Sequence, residues 1–309
     1  MTKITIPPFL QTGDKIAIVA PASAINYNDI VPGIELLKNE WNLEVVEGKT
    51  LKSSFNQFSA SDQDRIDDLQ KMLDDPSVKA IIAARGGYGC SRIIDRIDFT
   101  KFIESPKWVI GFSDLTAIHS KLYTLGFASA HAHMAKSMMQ EGAGDARESL
   151  RRLLFGELPE YALPAHSLNR TGDAKGELIG GNLCLFAHMI GSETDINTTG
   201  KILFIEDVNE YLYNLDRMMI QLKRAGKLKT LAGLIVGQFS DMKDNSRPSF
   251  GKDAYEIIYE HVSEHDYPVA FNFPVGHVPD NRAMIVGMES ALNVQRNVVD
   301  FSFTTTTTV

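Results

Sequence analysis

The chain has 309 residues, of which 44% are hydrophobic and 23% charged, and it carries a formal net charge of −8. These values are typical of a soluble globular protein with room for two domains. The negative charge argues against nucleic acid or an anionic membrane as a partner, and no run approaches the ~20 apolar residues of a membrane span. The first residues lack the apolar segment of a secretion signal, and the two cysteines make no disulfide framework, so we expect a cytoplasmic protein.

The N-terminal half alternates short apolar runs with amphipathic segments. The runs that predict buried strands cover residues 15–20, 43–46, 78–84 and 108–110. The segments that predict helices cover residues 30–39, 61–75 and 91–97. Strands that alternate with helices indicate an α/β fold with a doubly wound parallel sheet, which binds ligands at the carboxyl ends of its strands.

Beyond residue 128 the pattern is weaker, and only a short helix is expected, at 147–155. Turn-forming residues then indicate a linker at Pro159, Pro164, Asn169 and Gly172. We therefore expect an N-terminal domain at residues 1–165 and a C-terminal domain at 166–309. The helices expected in the second domain lie at 182–190, 211–225 and 253–264, and the strands at 201–205, 231–237, 269–272, 283–286, 291–294 and 298–303. The threonine-rich tail at 304–308 favours either disorder or an edge strand.

The segment at 108–119 has the pattern of a strand that turns sharply into a helix, with Ser113 at the corner. This is the shape of a nucleophile elbow, in which the hydroxyl stands clear of the backbone and the next amide, that of Asp114, helps to hold an oxyanion. The alternative is a plain helix cap, because Ser and Asp are ordinary N-cap residues and Leu115 replaces the second glycine of the elbow motif. On this segment alone the cap is the commoner outcome.

A second turn, Gly86-Gly87-Tyr88-Gly89, follows a predicted strand and precedes a predicted helix. Its backbone amides suit a phosphate or an oxyanion. It lacks the lysine of a P-loop and the spacing of a dinucleotide motif. A tight strand-to-helix turn without chemistry is the alternative.

The C-terminal half contains two further candidate catalytic side chains. Glu206 ends a predicted buried strand, and a carboxylate at a strand end can orient a histidine, although a solvated loop acid is the alternative. His277 lies in a loop bounded by Gly and Pro, where a structural or solvent-facing histidine is the commoner outcome. No spacing of histidines makes a convincing metal motif, so neither a metal nor another cofactor is expected.

Five short motifs occur in a defined order along the chain. They are Gly86-Gly87-Tyr88-Gly89, Gly111-Phe112-Ser113-Asp114, Gly180-Gly181-Asn182-Leu183, Glu206-Asp207-Val208 with Leu215-Asp216-Arg217, and Gly276-His277 with Asn281. In order and spacing they resemble the LD-carboxypeptidase family of serine peptidases, which includes muramoyl-tetrapeptide carboxypeptidases and microcin C immunity peptidases. The resemblance extends over nearly the whole chain. One departure affects the expected substrate pocket, because His131-Ala132-His133-Met134 stands where the family often has His-Gly-Pro-Met.

The resemblance implies a Rossmann-like N-terminal domain and a smaller, β-rich C-terminal domain, usually in a dimer. It implies that Ser113 is the nucleophile, His277 the general base and then acid, and Glu206 the carboxylate that holds the imidazole. The amides of Gly87 and Asp114 would form the oxyanion hole, and the active site would lie in the cleft between the domains. The implied reaction is metal-independent release of the terminal D-Ala from a murein tetrapeptide during peptidoglycan recycling.

Two alternatives stay open at this point. An immunity-type peptidase of the same family would act on peptidyl or aminoacyl adenylate mimics instead. A non-catalytic ligand-binding module on the same sheet is the other alternative. Loss of the serine, glutamate or histidine would favour that module, and all three are present here.

Overall fold

The structure is a computed structural model that describes residues 4–304. The chain divides into two compact units. The first unit consists of Met1–Glu157 and Pro279–Ile285, and the second of Leu158–Val278 and Val286–Val309. A short segment from the C-terminal part of the chain thus returns to the first unit. The domain border expected between residues 165 and 166 stays a prediction.

A six-stranded sheet forms the centre of the first unit. Its strands are β1 (Lys15–Val19), β2 (Glu44–Glu47), β3 (Val78–Ala83), β4 (Trp108–Gly111), β5 (Ser129–His131) and β11 (Met284–Val286). They lie in the order β11-β5-β4-β3-β1-β2, and β1 to β5 pair in parallel. Every residue of β4 is buried, which requires cover on both faces of the sheet.

Helices connect these strands, as the alternating pattern predicts. The α-helices are α1 (Val31–Asn39), α2 (Asp62–Asp74), α3 (Cys90–Ile93), α4 (Thr100–Glu104), α5 (Thr116–Thr124) and α6 (Gly144–Leu154). Ser61 caps α2 as expected, because its hydroxyl accepts a hydrogen bond from the Asp64 amide at 3.1 Å. The helix expected at 91–97 is instead the single turn of α3 followed by a 3-10 turn at Ile94–Arg96. The predicted α/β fold with a doubly wound parallel sheet is confirmed.

The second unit contains a seven-stranded mixed sheet. Its strands are β6 (Glu160–Pro164), β7 (Gly172–Asn182), β8 (Ile202–Val208), β9 (Gly233–Ser240), β10 (Val269–Ala270), β12 (Glu289–Val294) and β13 (Val298–Phe303). Their order is β10-β9-β8-β7-β12-β13-β6, with parallel pairing from β10 to β7 and antiparallel pairing beyond it. The α-helices of this unit are α7 (Leu183–His188), α8 (Leu212–Arg224) and α9 (Ala254–Val262).

One expectation for the C-terminal half is wrong. Part of the expected linker, at residues 160–164, forms the edge strand β6, which pairs with β13. Pro164 is tolerated because it lies at the end of an edge strand, where no ladder amide is needed. Glu206, expected at the end of a strand, lies two residues before the end of β8, which agrees with that expectation. Beyond Thr304, the threonine-rich tail lies outside the described residues.

Within residues 4–304, no helix is both long enough and apolar enough to cross a membrane.

Candidate active site

Ser113 lies at a sharp corner of the first unit, between β4 and α5. Its φ is +65°, in the left-handed region that few residues other than glycine adopt. The cap positions of the 3-10 turn at Ser113–Leu115 and of α5 are occupied by Phe112 and Leu115, which make no side-chain capping bond. The plain helix cap is therefore wrong for this corner. Among the described non-glycine residues with positive φ, Ser113 is the one that is neither Asn nor Asp, and its strand-to-helix corner has the geometry of a nucleophile elbow.

The glycine turn, residues 86–89, approaches this corner closely. A Cβ on Gly86 would lie 3.1 Å from the Ser113 Cβ and 3.3 Å from its hydroxyl oxygen. A Cβ on Gly87, whose φ is +113°, would clash with the Ser23 hydroxyl oxygen at 2.2 Å. Gly87 is favoured by both its positive φ and this clash, whereas a side chain at Gly86 would press on Ser113 by a few tenths of an ångström. The turn follows β3, which lies next to β1 in the sheet, and the strand order reverses between these two strands. Sheets of this kind usually bind ligands at such a point.

Buried polar groups hold the glycine turn in place. Arg65 is fully buried, and its Nη1 donates to the Gly89 carbonyl oxygen at 3.0 Å. The amide of the same peptide group, that of Cys90, donates to Asp114 Oδ2 at 2.8 Å. The Ser23 hydroxyl accepts from the Tyr88 amide at 3.2 Å. One peptide group is thus held from both sides by an arginine and a buried acid. Burial raises the pKa of Asp114, and the Cys90 hydrogen bond partly offsets that rise.

The second unit holds a buried glutamate against a histidine. His277 Nδ1 lies 2.7 Å from Glu206 Oε2. The Glu206 side chain is fully buried, whereas the His277 side chain is 20% exposed. Burial by itself lowers the pKa of His277, but the Glu206 charge and hydrogen bond outweigh it, so the net pKa is raised. With Nδ1 on the glutamate, proton transfer by this ring would use Nε2.

Gly276 allows this pair to form. Its φ is +129°, and a Cβ there would lie 2.9 Å from the Glu206 Cβ and 3.0 Å from Oε2. Any larger residue would push the histidine loop away from the glutamate.

Asp207, next to Glu206 on β8, has a different role. Its Oδ1 accepts from the Asn182 side chain at 2.8 Å, and its Oδ2 accepts from the Cys184 amide at 3.0 Å. These contacts tie the start of α7 to β8. Burial and the neighbouring Glu206 charge raise the pKa of Asp207 to about 7. Of two adjacent acids, one contacts the histidine and the other anchors a helix.

The histidines at 131–134, where the sequence departs from the family pattern, are buried in the first unit. His133 lies 2.8 Å from the Ser137 hydroxyl and 2.8 Å from the Pro279 carbonyl oxygen. It therefore anchors the returning segment at its first residue. In the part of the chain that the structure describes, no three His, Cys, Asp or Glu side chains cluster as metal ligands.

Each unit contributes part of the expected set. Ser113, Gly87 and Asp114 belong to the first unit, and Glu206 and His277 belong to the second. A serine at a strand-to-helix corner and a histidine bonded to a buried glutamate are side chains of the kinds that serine hydrolases use.

Comparison with known proteins identifies the family. Residues 16–132 match the model of the LD-carboxypeptidase N-terminal domain, and residues 175–292 match that of the LD-carboxypeptidase C-terminal domain. The chain belongs to the LD-carboxypeptidase family, and it is a serine-type carboxypeptidase.

Relatives and solved structures agree with this assignment. The probable murein peptide carboxypeptidase of Bacillus subtilis is 32% identical over 294 residues, covering 93% of this chain and 91% of the relative. The muramoyltetrapeptide carboxypeptidase from Oxalobacter formigenes has a TM-score of 0.86 at 29% identity, covering 94% of this chain and 99% of that structure. The microcin C7 self-immunity protein in complex with aspartyl sulfamoyl adenosine has a TM-score of 0.86 at 20% identity, covering 96% and 98%. The last likeness concerns the fold alone.

Proposed function

We propose that this enzyme releases the terminal D-Ala from murein tetrapeptide, with Ser113, His277 and Glu206 as its catalytic triad. The observation that carries the proposal is the 2.7 Å contact between His277 and the buried Glu206, since a carboxylate that orients an imidazole is the support a serine nucleophile needs. The strained backbone of Ser113 adds to it. The murein substrate is supported by the names of the Bacillus subtilis and Oxalobacter formigenes relatives.

In the proposed acylation, the Ser113 hydroxyl oxygen attacks the carbonyl carbon of the bond between diaminopimelate (or Lys) and D-Ala. His277 Nε2 accepts the serine proton, and Glu206 stabilises the resulting imidazolium. The amides of Gly87 and Asp114 donate to the oxyanion. The imidazolium then protonates the leaving nitrogen, D-Ala departs, and an acyl-enzyme remains. This step requires Nε2 within about 3 Å of the serine hydroxyl when substrate is bound.

In the proposed deacylation, His277 takes a proton from water, and the hydroxide attacks the acyl carbon. The Ser113 oxygen leaves with the proton that His277 returns, and the shortened peptide is released with a new carboxylate. No metal is needed, because the oxyanion amides supply the electrophilic assistance. We further propose that the enzyme acts in the cytoplasm, where recycled muropeptides occur, and as a homodimer.

A side-by-side assay of four compounds tests the substrate. They are the tetrapeptide L-Ala-γ-D-Glu-meso-diaminopimelyl-D-Ala, its C-terminal L-Ala epimer, the pentapeptide ending D-Ala-D-Ala, and an aminoacyl-sulfamoyl adenylate. We expect D-Ala release from the tetrapeptide and little cleavage of the epimer. Inverting the last residue misplaces its methyl and carboxylate, and a shift of ~1 Å can cost about 10²-fold. The pentapeptide should also be a poor substrate, because the residue after the scissile bond then carries a further peptide bond in place of its free carboxylate.

Hydrolysis of the adenylate alone would overturn the substrate proposal in favour of an immunity-type peptidase. Equal rates of cleavage of the D-Ala and L-Ala tetrapeptides would contradict the proposed preference for a D-residue. Either result would leave the proposed triad intact.

A further inference from the structure

We propose that Arg85 binds the terminal carboxylate of the substrate and so makes this enzyme a carboxypeptidase rather than an endopeptidase. The inference rests on the proposed function, because it takes the glycine turn to be the oxyanion site. It concerns contacts within the first unit only.

The chemistry sets where such a residue has to lie. In a substrate that loses one residue, the terminal carboxylate carbon is three bonds beyond the scissile carbonyl carbon. Those bonds measure about 1.33, 1.46 and 1.52 Å, so the two carbons are less than ~4.4 Å apart. A cation that binds the carboxylate therefore has to flank the amides that hold the oxyanion.

Arg85 lies in that position. It follows β3 and directly precedes the glycine turn. Its Nη2 lies 3.8 Å from the point that a Cβ on Gly87 would occupy. Gly87 itself is exposed, and Arg85 is half-buried, so a ligand at the turn can reach both.

The Arg85 guanidinium is held in place by an uncharged partner. Its Nη1 donates to the Ala24 carbonyl oxygen at 3.2 Å. Within the described residues of this unit, Arg85 forms no ion pair. A guanidinium fixed by one neutral hydrogen bond keeps its planar donors available for a carboxylate, which it can bind through two parallel hydrogen bonds.

The other cations around the turn are already paired with acids. Arg65 and Arg92 both contact Asp62, at 2.5 and 2.7 Å. Lys136, whose amide donates to the Ala84 carbonyl oxygen just after β3, contacts Asp29 at 3.0 Å. Among the described residues of this unit, Arg85 is thus the cation beside the turn that has no acidic partner. An unpaired positive charge of this kind favours the binding of an anion.

The experiment compares the tetrapeptide with its C-terminal carboxamide, which keeps the scissile bond and removes the charge. The wild-type enzyme should prefer the free acid. For Arg85→Met we expect kcat/KM on the free acid to fall about 10- to 100-fold, the usual worth of hydrogen bonds to a charged group. On the carboxamide it should change less than about threefold, so the preference disappears. Arg85→Lys should keep part of the preference, because it keeps the charge but not the bidentate geometry.

Arg92→Met is the matched control, since it removes a neighbouring arginine that is exposed and paired with Asp62. It should leave the preference for the free acid unchanged. If Arg85→Met lowers kcat/KM equally on the free acid and the carboxamide, Arg85 only supports the loop at Ala24 and the inference is wrong. It is also wrong if the preference survives Arg85→Met.

Binding measurements separate this inference from the proposed function. In a Ser113→Ala background, calorimetry of the tetrapeptide and its carboxamide gives the same comparison without turnover. If the wild type releases no D-Ala, the proposed function fails. If it does release D-Ala but Ser113→Ala and Ser113→Ala/Arg85→Met bind the free acid equally well, only the role of Arg85 fails.

Discussion

At the scale of single residues, the proposed mechanism makes activity depend on the protonation of His277. The Glu206 charge raises the pKa of His277 against the opposing effect of burial. A general base has to be neutral, so a raised pKa moves the loss of activity on the acid side to higher pH. We expect kcat/KM for D-Ala release to fall with a midpoint above the ~6.5 of an unperturbed histidine.

The Glu206→Gln variant provides the control for this pH profile. Without the Glu206 charge, burial is the main effect on the His277 ring. The pKa of His277 and the midpoint of the pH profile should therefore both fall. A wild-type rate that stays flat from about pH 5 to 8 would argue against a histidine base.

Gly276 allows a second residue-level prediction. Gly276→Ala places a Cβ within 3.0 Å of the Glu206 carboxylate and so displaces His277. We expect kcat to fall by about 10²-fold, as for a ~1 Å misplacement of a catalytic group. Gly172→Ala is the matched control, because Gly172 has a φ of +150° in the same unit and its Cβ position meets only ordinary contacts, the nearest at 3.4 Å from Pro268. Equal losses of kcat in the two variants would show that backbone strain, rather than displacement, is responsible.

At the scale of elements, Asp114 joins the start of α3 to the corner after β4. Asp114→Ala leaves the buried Cys90 amide without its acceptor, which should lower the free energy of unfolding by about 1–3 kcal/mol. Asp114→Asn keeps an acceptor oxygen and should cost clearly less. Urea denaturation measures both. Equal losses for alanine and asparagine would mean that the hydrogen bond to Cys90 contributes nothing.

Most elements could be predicted from the sequence because their periodicity is local. The parallel strands of the first unit and the cap at Ser61 follow from apolar runs and turn residues alone. β6 was missed because its pairing partner, β13, is more than a hundred residues away. Arg65 was not singled out, although it stands four residues before Leu69, on the buried face of α2. That spacing indicates that Arg65 is buried. It does not indicate that Arg65 bonds Gly89, because that contact forms only in the folded protein.

At the scale of the whole molecule, the order of the motifs is the one sequence signal that brings the residues of the candidate site together. Ser113 by itself favoured a helix cap, and His277 by itself favoured a structural histidine. Neither the positive φ of Ser113 nor the return of Pro279–Ile285 to the first unit leaves a pattern in the sequence. The return depends on contacts between residues that are distant along the chain, such as His133 with Pro279. Family resemblance supplied what local pattern could not.

The central claim, a serine nucleophile at position 113, is tested most directly by the turnover of Ser113→Ala on the tetrapeptide. We predict a loss of D-Ala release of roughly 10³-fold or more, with His277→Ala similar, because residues that act as a unit fail together. Ser192→Ala is the matched control, since it removes a hydroxyl of the second unit that bonds within its own turn, where it donates to the Met189 carbonyl oxygen at 2.7 Å and accepts from the Thr194 amide at 3.2 Å. It should keep wild-type turnover. A Ser113→Ala enzyme that released D-Ala at the wild-type rate would contradict the account.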